Sequence, residues 1–361
     1  MKLIQNFKGI ALGFFLVLAL LVLAACGGGS DSASSNGNNA SEGGKEDSEK
    51  VYHLRMNSVN APSIEGTPQT IAEKGFAELV KEKTNGRIEI EIFYSNQLAG
   101  QSESLDALAR GTIDLQVNAP AAWGDKIPEA NWSNMPFAWK TEEELDHLIR
   151  HTEFGELFAE SLEQYGVKPL HYYYSSSAGY LSNSPITKPE DFKGLVMNSS
   201  SNLKSKFYQE MGSGIANIPY AEYYEGLLRG TVDVVNFPYY AMETMKLSEV
   251  VKYVTIPGEV APAPTLIAIS KATWDELPSD LQELLMEAAL EIEQQTIAAS
   301  KEFTERGIQY ARDEGLEIVE ITDEGYKEFI EIAKKSHWAE YAASSERSKK
   351  MIEILNGNIG N

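Results

Sequence analysis

At Leu108-Ala-Arg-Gly-Thr-Ile-Asp-Leu115 a helical stretch stops on Gly111 and the chain restarts as a strand, and the same punctuation returns at Leu228-Arg-Gly-Thr-Val-Asp-Val234. Glycine closes a helix because the left-handed conformation costs it little, and the β-branched residues that follow favour extended backbone. Arg229 follows Arg110 by 119 residues, with Gly230, Thr231 and Asp233 in the places of Gly111, Thr112 and Asp114. Either two similar α/β lobes share a design, or the chain has converged twice on a common helix-stop, strand-start phrase.

The surrounding patterns fill in both units. Val51 to Met56 reads as a first strand. Pro68 to Lys83 carries Ile71, Phe76, Leu79 and Val80 at helical spacing, and Gly86-Arg-Ile-Glu-Ile-Glu-Ile-Phe93 alternates isoleucine with charge like a half-buried strand. A helix from Ser102 to Arg110 leads to the first phrase. Around the second, short strands at Gly194 to Asn198 and Gly214 to Ile218 flank a helix from Leu203 to Met211, and Pro219 to Arg229 fits another helix. Thr265 to Ser270 is an apolar strand positioned to cross between lobes. Leu281 to Phe303 is a long helix, Leu316 to Ile321 a strand, and Tyr326 to Ile352 an amphipathic helical region that braces the fold. Open α/β sheets place ligands beyond the carboxyl ends of their strands, so a cleft for binding is expected before catalysis is.

Charge narrows the partners. The 361 residues carry 53 acids against 31 bases, a formal net charge of -22, which repels a phosphate backbone; no long Lys/Arg patch interrupts it. With 43% hydrophobic residues the chain can bury a substantial core. A single cysteine forms no intramolecular disulfide and supplies no multi-cysteine metal pattern.

That cysteine has a telling position. Lys2 and Lys8 precede a nearly unbroken apolar run from Gly9 to Ala25, which ends in Leu23-Ala-Ala-Cys26 followed by three glycines. The arrangement resembles a bacterial lipoprotein signal, with residues 1–25 removed and Cys26 left as a lipidated first residue; the run is short for a comfortable membrane span. Cleavage takes away two lysines and no acid, so the exported chain is more acidic than the whole. From Gly27 to Lys50, Gly, Ser, Asn, Asp and Glu dominate, and such a segment buries too little apolar surface to offset the entropy of folding. Residues 26–50 are therefore expected to be a flexible tether.

From Val51 onward the chain resembles the large dicarboxylate-binding type of solute-binding protein that serves tripartite ATP-independent periplasmic (TRAP) transporters. The stretches that carry the resemblance include Gly86 to Phe93 with Gln97-Leu98, Gly111-Thr-Ile-Asp114, Met135-Pro-Phe137, Leu181-Ser-Asn-Ser-Pro-Ile186 and Phe192-Lys-Gly194. Met211-Gly212, Ile218-Pro219 before Glu222-Tyr-Tyr224, Leu228 through Asp233, and Lys252-Tyr253 follow in order. The resemblance implies a two-lobed α/β fold of the periplasmic-binding-protein kind, with a closing ligand cleft, crossing strands and long C-terminal helices. It further implies delivery of a small organic solute to an ion-gradient-driven permease, without catalysis or cofactor. Lobe I is expected over 51–175 plus about 264–300, lobe II over 176–263, and bracing helices over 301–361.

The resemblance also locates the ligand-reading positions, and there the chain departs from the pattern. The family's principal arginine after the Lys-Gly segment is matched by Asn198, and a second basic position by Gly179. An arginine presents a bidentate cationic fork to a carboxylate, whereas asparagine offers a neutral amide. The later family segment Asp-Gly-x-Glu-Asn-Pro is matched by Asp233-Val-Val-Asn-Phe-Pro238. Asn198, Asn236, Phe237 and Tyr239 are therefore the central candidates, with Tyr180, Trp123, Tyr173 and Asn118 completing the set; Tyr174 and Tyr240 add possible stacking faces. A neutral, zwitterionic or cationic polar solute is expected in preference to a small dianion, with Arg55, Arg87, Arg150 and Lys126 as the cations to be placed.

Catalytic readings find little in the sequence. There is no Gly-x-Ser-x-Gly elbow and no His-Glu-x-x-His motif, and Ser201-x-x-Lys204 lacks the companion motifs of a serine-lysine enzyme. His147 and His151 share a helical face without a matched third ligand, so no metal site is expected there. A surface-tethered sensor that closes on a solute and signals through its lobe surface is the alternative use of the same cleft.

Overall fold

The computed structural model describes residues 50–358 apart from 64, 200 and 201. Cys26, the leader, the tether before Lys50, and Ser201 lie outside the described residues. Eleven strands are described: β1 Tyr52–Ser58, β2 Ile88–Phe93, β3 Leu115–Asn118, β4 Val167–Tyr174, β5 Ala178–Ser182, β6 Val196–Asn198, β7 Gly214–Ala216, β8 Val234–Pro238, β9 Tyr253–Ile256, β10 Pro264–Ser270 and β11 Glu317–Glu320.

They form two sheets, one in the order β2-β1-β3-β10-β4 and one in the order β11-β9-β5-β8-β6-β7. In the first, β1 is parallel to β2 and β3, and β10 is antiparallel to both β3 and β4. In the second, β6 is parallel to β7 and β8, β5 is antiparallel to β8 and β9, and β11 is parallel to β9. The chain passes between sheets from β4 into β5 and returns from β9 into β10, so β10 belongs to the first sheet, as the crossing-strand reading expects.

The two repeated phrases do the same work in the two sheets. Gly111 and Gly230 both take positive φ, at 66° and 69°. Asp114 Oδ2 accepts from Arg55 N at 2.8 Å, and Asp233 Oδ2 accepts from Val196 N at 2.8 Å. Each aspartate thus satisfies a backbone donor of the parallel neighbour, Arg55 within β1 and Val196 at the start of β6. This shared geometry is a physical reason for the phrase to occur twice, whether by duplication or by convergence.

The sequence pattern underestimates the long helix. It runs Ser279–Asp313, 35 residues, and passes unbroken through position 300. Its first half buries Leu281, Leu285, Ala288, Ala289 and Ile292 in the core of the first sheet. Its second half reaches the second sheet's core through Ala311. A Cβ on Gly307 would stand 2.8 Å from Tyr239 C and Tyr240 N, so here the helix and the backbone after β8 touch directly. The polar residues beyond Phe303 weaken the apolar stripe and hid the extension, which is held by tertiary packing. The helical region expected from Tyr326 to Ile352 consists of Asp323–Ala333, a π-turn Lys334–Trp338, Ala339–Ala342 and Glu346–Asn358.

A buried ion pair fastens this helix to the first sheet and the helix that ends at Arg150. Arg150 donates to both oxygens of Glu293, and Tyr172 N adds a bond of 2.7 Å. Burial raises the Glu293 carboxyl above its ordinary range, an effect the Arg150 guanidinium opposes without cancelling. Among the described residues no helix is long and apolar enough to cross a membrane, and no group of three or more metal-ligating side chains is assembled. His147 and His151 stack on each other with ring centroids 5.7 Å apart.

Candidate functional site

The carboxyl ends of β1, β3 and β4 lie on one edge of the first sheet, and those of β6 and β8 share an edge of the second. These edges are where the candidate residues divide into two groups. Trp123, Asn118 and Tyr173 belong to the first sheet's surroundings; Asn198, Asn236, Phe237, Tyr239 and Tyr180 belong to the second.

At the second edge an aromatic and amide patch is continuous. Asn198, at the end of β6, donates through Nδ2 to Tyr223 Oη at 2.7 Å, and its Oδ1 accepts from Ile218 N at 2.9 Å. Its amide therefore holds the loop after β7 and positions Tyr223. The Tyr223 ring meets Phe237 edge-on at 5.2 Å, and the Tyr220 ring lies nearly parallel to Phe237, at 6.4 Å and 16°. Tyr220 is 66% exposed, more than any other large hydrophobic side chain among the described residues, and the helical pattern of Pro219 to Arg229 does not single it out. A short 3-10 turn, Tyr220–Glu222, precedes the helix Tyr223–Arg229 and presents Tyr220 outward. Asn236 is half-buried, and its side-chain amide is enclosed beside the Tyr208 phenol.

Tyr180 and Tyr239 point into the protein. Tyr180 Oη donates to Glu259 Oε2 at 3.0 Å, Tyr208 Oη donates to the same oxygen, and Lys204 Nζ stands 3.1 Å from Oε1. Burial alone would raise the Glu259 carboxyl, but Lys204 and the hydrogen bonds overturn that and hold it below the ordinary carboxylate range. Tyr239 Oη donates to Thr255 O at 2.8 Å. Its ring fills the space beside Gly179, where a Cβ would stand 2.4 Å from both Tyr239 Oη and Thr255 O. The missing side chain at Gly179 is thus replaced by the Tyr239 ring.

On the first edge, Trp123 is buried and its indole donates to Ser104 Oγ at 3.0 Å. Asn118 exchanges bonds with Gln101, accepting from Nε2 at 3.0 Å and donating to the carbonyl at 3.2 Å. Tyr173 Oη accepts from Asn60 Nδ2 at 2.8 Å. The same Nδ2 is 2.7 Å from Glu73 Oε1, which also accepts from Ser58 Oγ at 3.0 Å. Glu73 lies in a π-turn, Ile71–Gly75, inside the helix that the spacing predicted, and the sequence pattern gave no sign of its importance.

Burial pushes the Glu73 carboxyl up to about 7, the bonds from Asn60 and Ser58 only partly opposing it. Between pH 4.5 and about 7 the folded chain then binds more protons at this site than the unfolded chain does. Stability contributed at low pH is accordingly lost as pH rises. Glu73→Gln is expected to remove this slope, raising stability at pH 8 by up to about 3 kcal/mol relative to the parent while changing little at pH 4.5. Urea unfolding at the two pH values measures it. His171 acts in the opposite sense: burial lowers it to about 3, so its contribution is lost as pH falls below 6.5.

The four cations left unplaced by the sequence are all committed elsewhere. Arg55 pairs with Asp114 at 3.1 Å, Arg87 with Asp280 at 2.5 Å, Lys126 with Asp106 at 2.6 Å, and Arg150 with Glu293.

Residues 60–344 match the sequence profile of the family described as bacterial extracellular solute-binding protein, family 7. The C4-dicarboxylate-binding periplasmic protein DctP of Rhodobacter capsulatus is 28% identical over 287 residues, 79% of this chain and 85% of that protein. The 2,3-diketo-L-gulonate-binding periplasmic protein YiaO of Escherichia coli K12 is 27% identical over 263 residues, 72% of this chain and 79% of that protein. A TRAP periplasmic solute-binding protein from Chromohalobacter salexigens, solved with bound D-glucuronate, superposes with a TM-score of 0.72 at 23% identity, covering 84% of this chain and 99% of the other. One from Ochrobactrum anthropi, with its C-terminus bound in the ligand-binding pocket, reaches 0.78 at 24% identity, over 85% and 96%. These two structural likenesses bear on the fold.

Proposed function

Because this chain belongs to family 7 of the bacterial extracellular solute-binding proteins, we propose that it captures a small polar organic solute between its lobes and hands it to the membrane subunits of a TRAP transporter. Its work is binding outside the cytoplasm, not catalysis. The observation that carries the site assignment is the patch Tyr220, Phe237, Tyr223 and Asn198 at the carboxyl edge of β6 and β8, where an exposed aromatic face stands beside oriented amides. Asn236, half-buried in β8 next to Phe237, is the candidate direct contact, and Asn198 acts by holding Tyr223 in place.

The cargo carries a neutral, zwitterionic or cationic polar group in preference to two carboxylates. Three of the proteins named above are described with organic acids, C4-dicarboxylate, 2,3-diketo-L-gulonate and D-glucuronate, but in this chain Asn198 and Gly179 stand at the basic positions, and Arg55, Arg87, Arg150 and Lys126 are spent in ion pairs. Lobe I comprises 51–175 with about 264–300, lobe II 176–263, and the segment 301–361 braces them. Cys26 is the lipid anchor, with 27–50 as the tether that keeps the binding domain near the membrane.

Deleting the gene should abolish uptake of the solute, and retained uptake would turn the assignment toward sensing. Protein purified without exhaustive dialysis should show bound solute by mass spectrometry, and a solute found in a thermal-shift screen should raise the melting temperature. Tyr220→Ala is expected to weaken that solute's affinity roughly tenfold, about 1.4 kcal/mol, with the melting temperature of the free protein unchanged; calorimetric titration reads it. Cys26→Ala should move the protein from the membrane fraction to the soluble one and abolish labelling by a palmitate analogue.

A further inference from the structure

Glu73 is a buried acid placed where a solute-binding protein of this architecture needs a ligand-reading group. Its oxygen Oε1 bonds to Ser58 Oγ, at the carboxyl end of β1, and to Asn60 Nδ2, just beyond it. Asn60 in turn reaches Tyr173, near the end of β4, which runs parallel to β3 across β10. All three partners stand on the edge at which open α/β sheets bind ligands. The other oxygen, Oε2, has no hydrogen-bond partner although the residue is only 1% exposed. A buried acceptor without a partner carries a desolvation cost that a donor or a cation would relieve. The π-turn Ile71–Gly75 that holds Glu73 is an irregularity of the kind often found at functional sites.

The rest of the site has the opposite deficit. Positions where a carboxylate-binding relative would carry positive charge are Asn198 and Gly179, and the nearby Lys204 is occupied by Glu259. A buried acid, in a chain where Asn198 and Gly179 stand at the basic positions, favours positive charge on the solute.

We propose that Glu73 is a specificity-determining residue of lobe I, the counter-charge for a cationic group on the solute bound at the carboxyl edge of β1, β3 and β4. This rests on the solute-binding reading above and names the class of its cargo. In low-dielectric surroundings the carboxylate acts over a longer range than it would in water. The cation would draw the proton from Glu73 into solvent as it binds, leaving a neutral pair. The titratable groups facing this carboxyl are Tyr94 and Tyr173, whose phenols burial raises and keeps neutral; beyond Tyr94 lies the exposed Lys74–Glu65 ion pair, which carries no net charge.

The test uses the purified full chain without its leader and four probes in thermal shift and calorimetry at pH 6 and pH 8: choline, L-arginine, malonate and D-glucuronate. The expected result is that choline or L-arginine binds, with affinity rising roughly tenfold from pH 6 to pH 8 and with a proton released, as read in two buffers of different ionisation enthalpy. Glu73→Gln, which keeps the shape and one acceptor, should flatten that pH profile and lower affinity for the cation at pH 8 about tenfold while the protein remains folded. Binding of malonate or glucuronate alone, or cation binding that Glu73→Gln leaves unchanged, overturns the assignment of Glu73 and leaves the solute-binding reading standing. Binding of none of the probes, together with no copurified solute and no uptake defect, overturns both.

Discussion

Lys204→Met is expected to destabilise the protein by about 4 kcal/mol, because it leaves the Glu259 carboxylate buried without its cation. Glu259 is fully buried in the segment that returns from β9 to β10, and it is held by Tyr180 from β5 and by Tyr208 and Lys204 from the helix Asn202–Glu210. Its carboxyl lies below the ordinary range only because these groups favour the charged form, so without Lys204 it must rise and take a proton or stay charged at a cost. The double variant Lys204→Met with Glu259→Leu should recover much of the loss, since two apolar side chains need no pairing. A double-mutant cycle by urea unfolding at pH 7 measures both. A single-variant loss under 1 kcal/mol would show that Lys204, which retains some solvent contact, is not what keeps Glu259 charged.

Gly179→Arg should be comparably damaging, about 4 kcal/mol or failure to fold, for a steric reason. The first carbon of any side chain there falls 2.4 Å from Thr255 O and from Tyr239 Oη. Thr255 O is backbone in β9, so relief requires moving a strand; Tyr239 is buried and bonded to that same carbonyl. Restoring a basic residue at this position therefore cannot restore a carboxylate clamp. Gly179→Ala should already cost about 2 kcal/mol, and Tyr239→Ala in the Gly179→Ala background should give part of it back. If Gly179→Arg folded normally and bound malonate, the cleft would be far more adaptable than its packing indicates.

These two sites show where sequence reasoning stopped. Asn198 was legible as a position but not in its job: the partner that occupies its amide, Tyr223, is 25 residues away and brought close by the parallel pairing of β6 with β7 and β8. Tyr180 and Tyr239 read as possible walls of a cleft, and the alternation of β5 and the turn after β8 place both inward instead, one on Glu259 and one beneath Gly179. Tyr220, outside the candidate set, is the exposed aromatic face. An aromatic residue has the same letter in a core and in a cleft, so only its neighbours distinguish the two roles.

The sequence by itself determined the α/β class, the family, the lobe-forming punctuation at Gly111 and Gly230, and the departures from the family pattern at Asn198 and Gly179. Those features are local: a glycine stop, an alternating strand and a motif each act within a few residues. Tertiary structure alone decided that the helix Ser279–Asp313 reaches the second sheet's core, that Arg55, Arg87, Lys126 and Arg150 are paired, that a tyrosine fills the space beside Gly179, and that Glu73 is buried with one oxygen unpartnered. Each of these depends on desolvation and on contacts between segments distant along the chain, and neither is written in the spacing of residues.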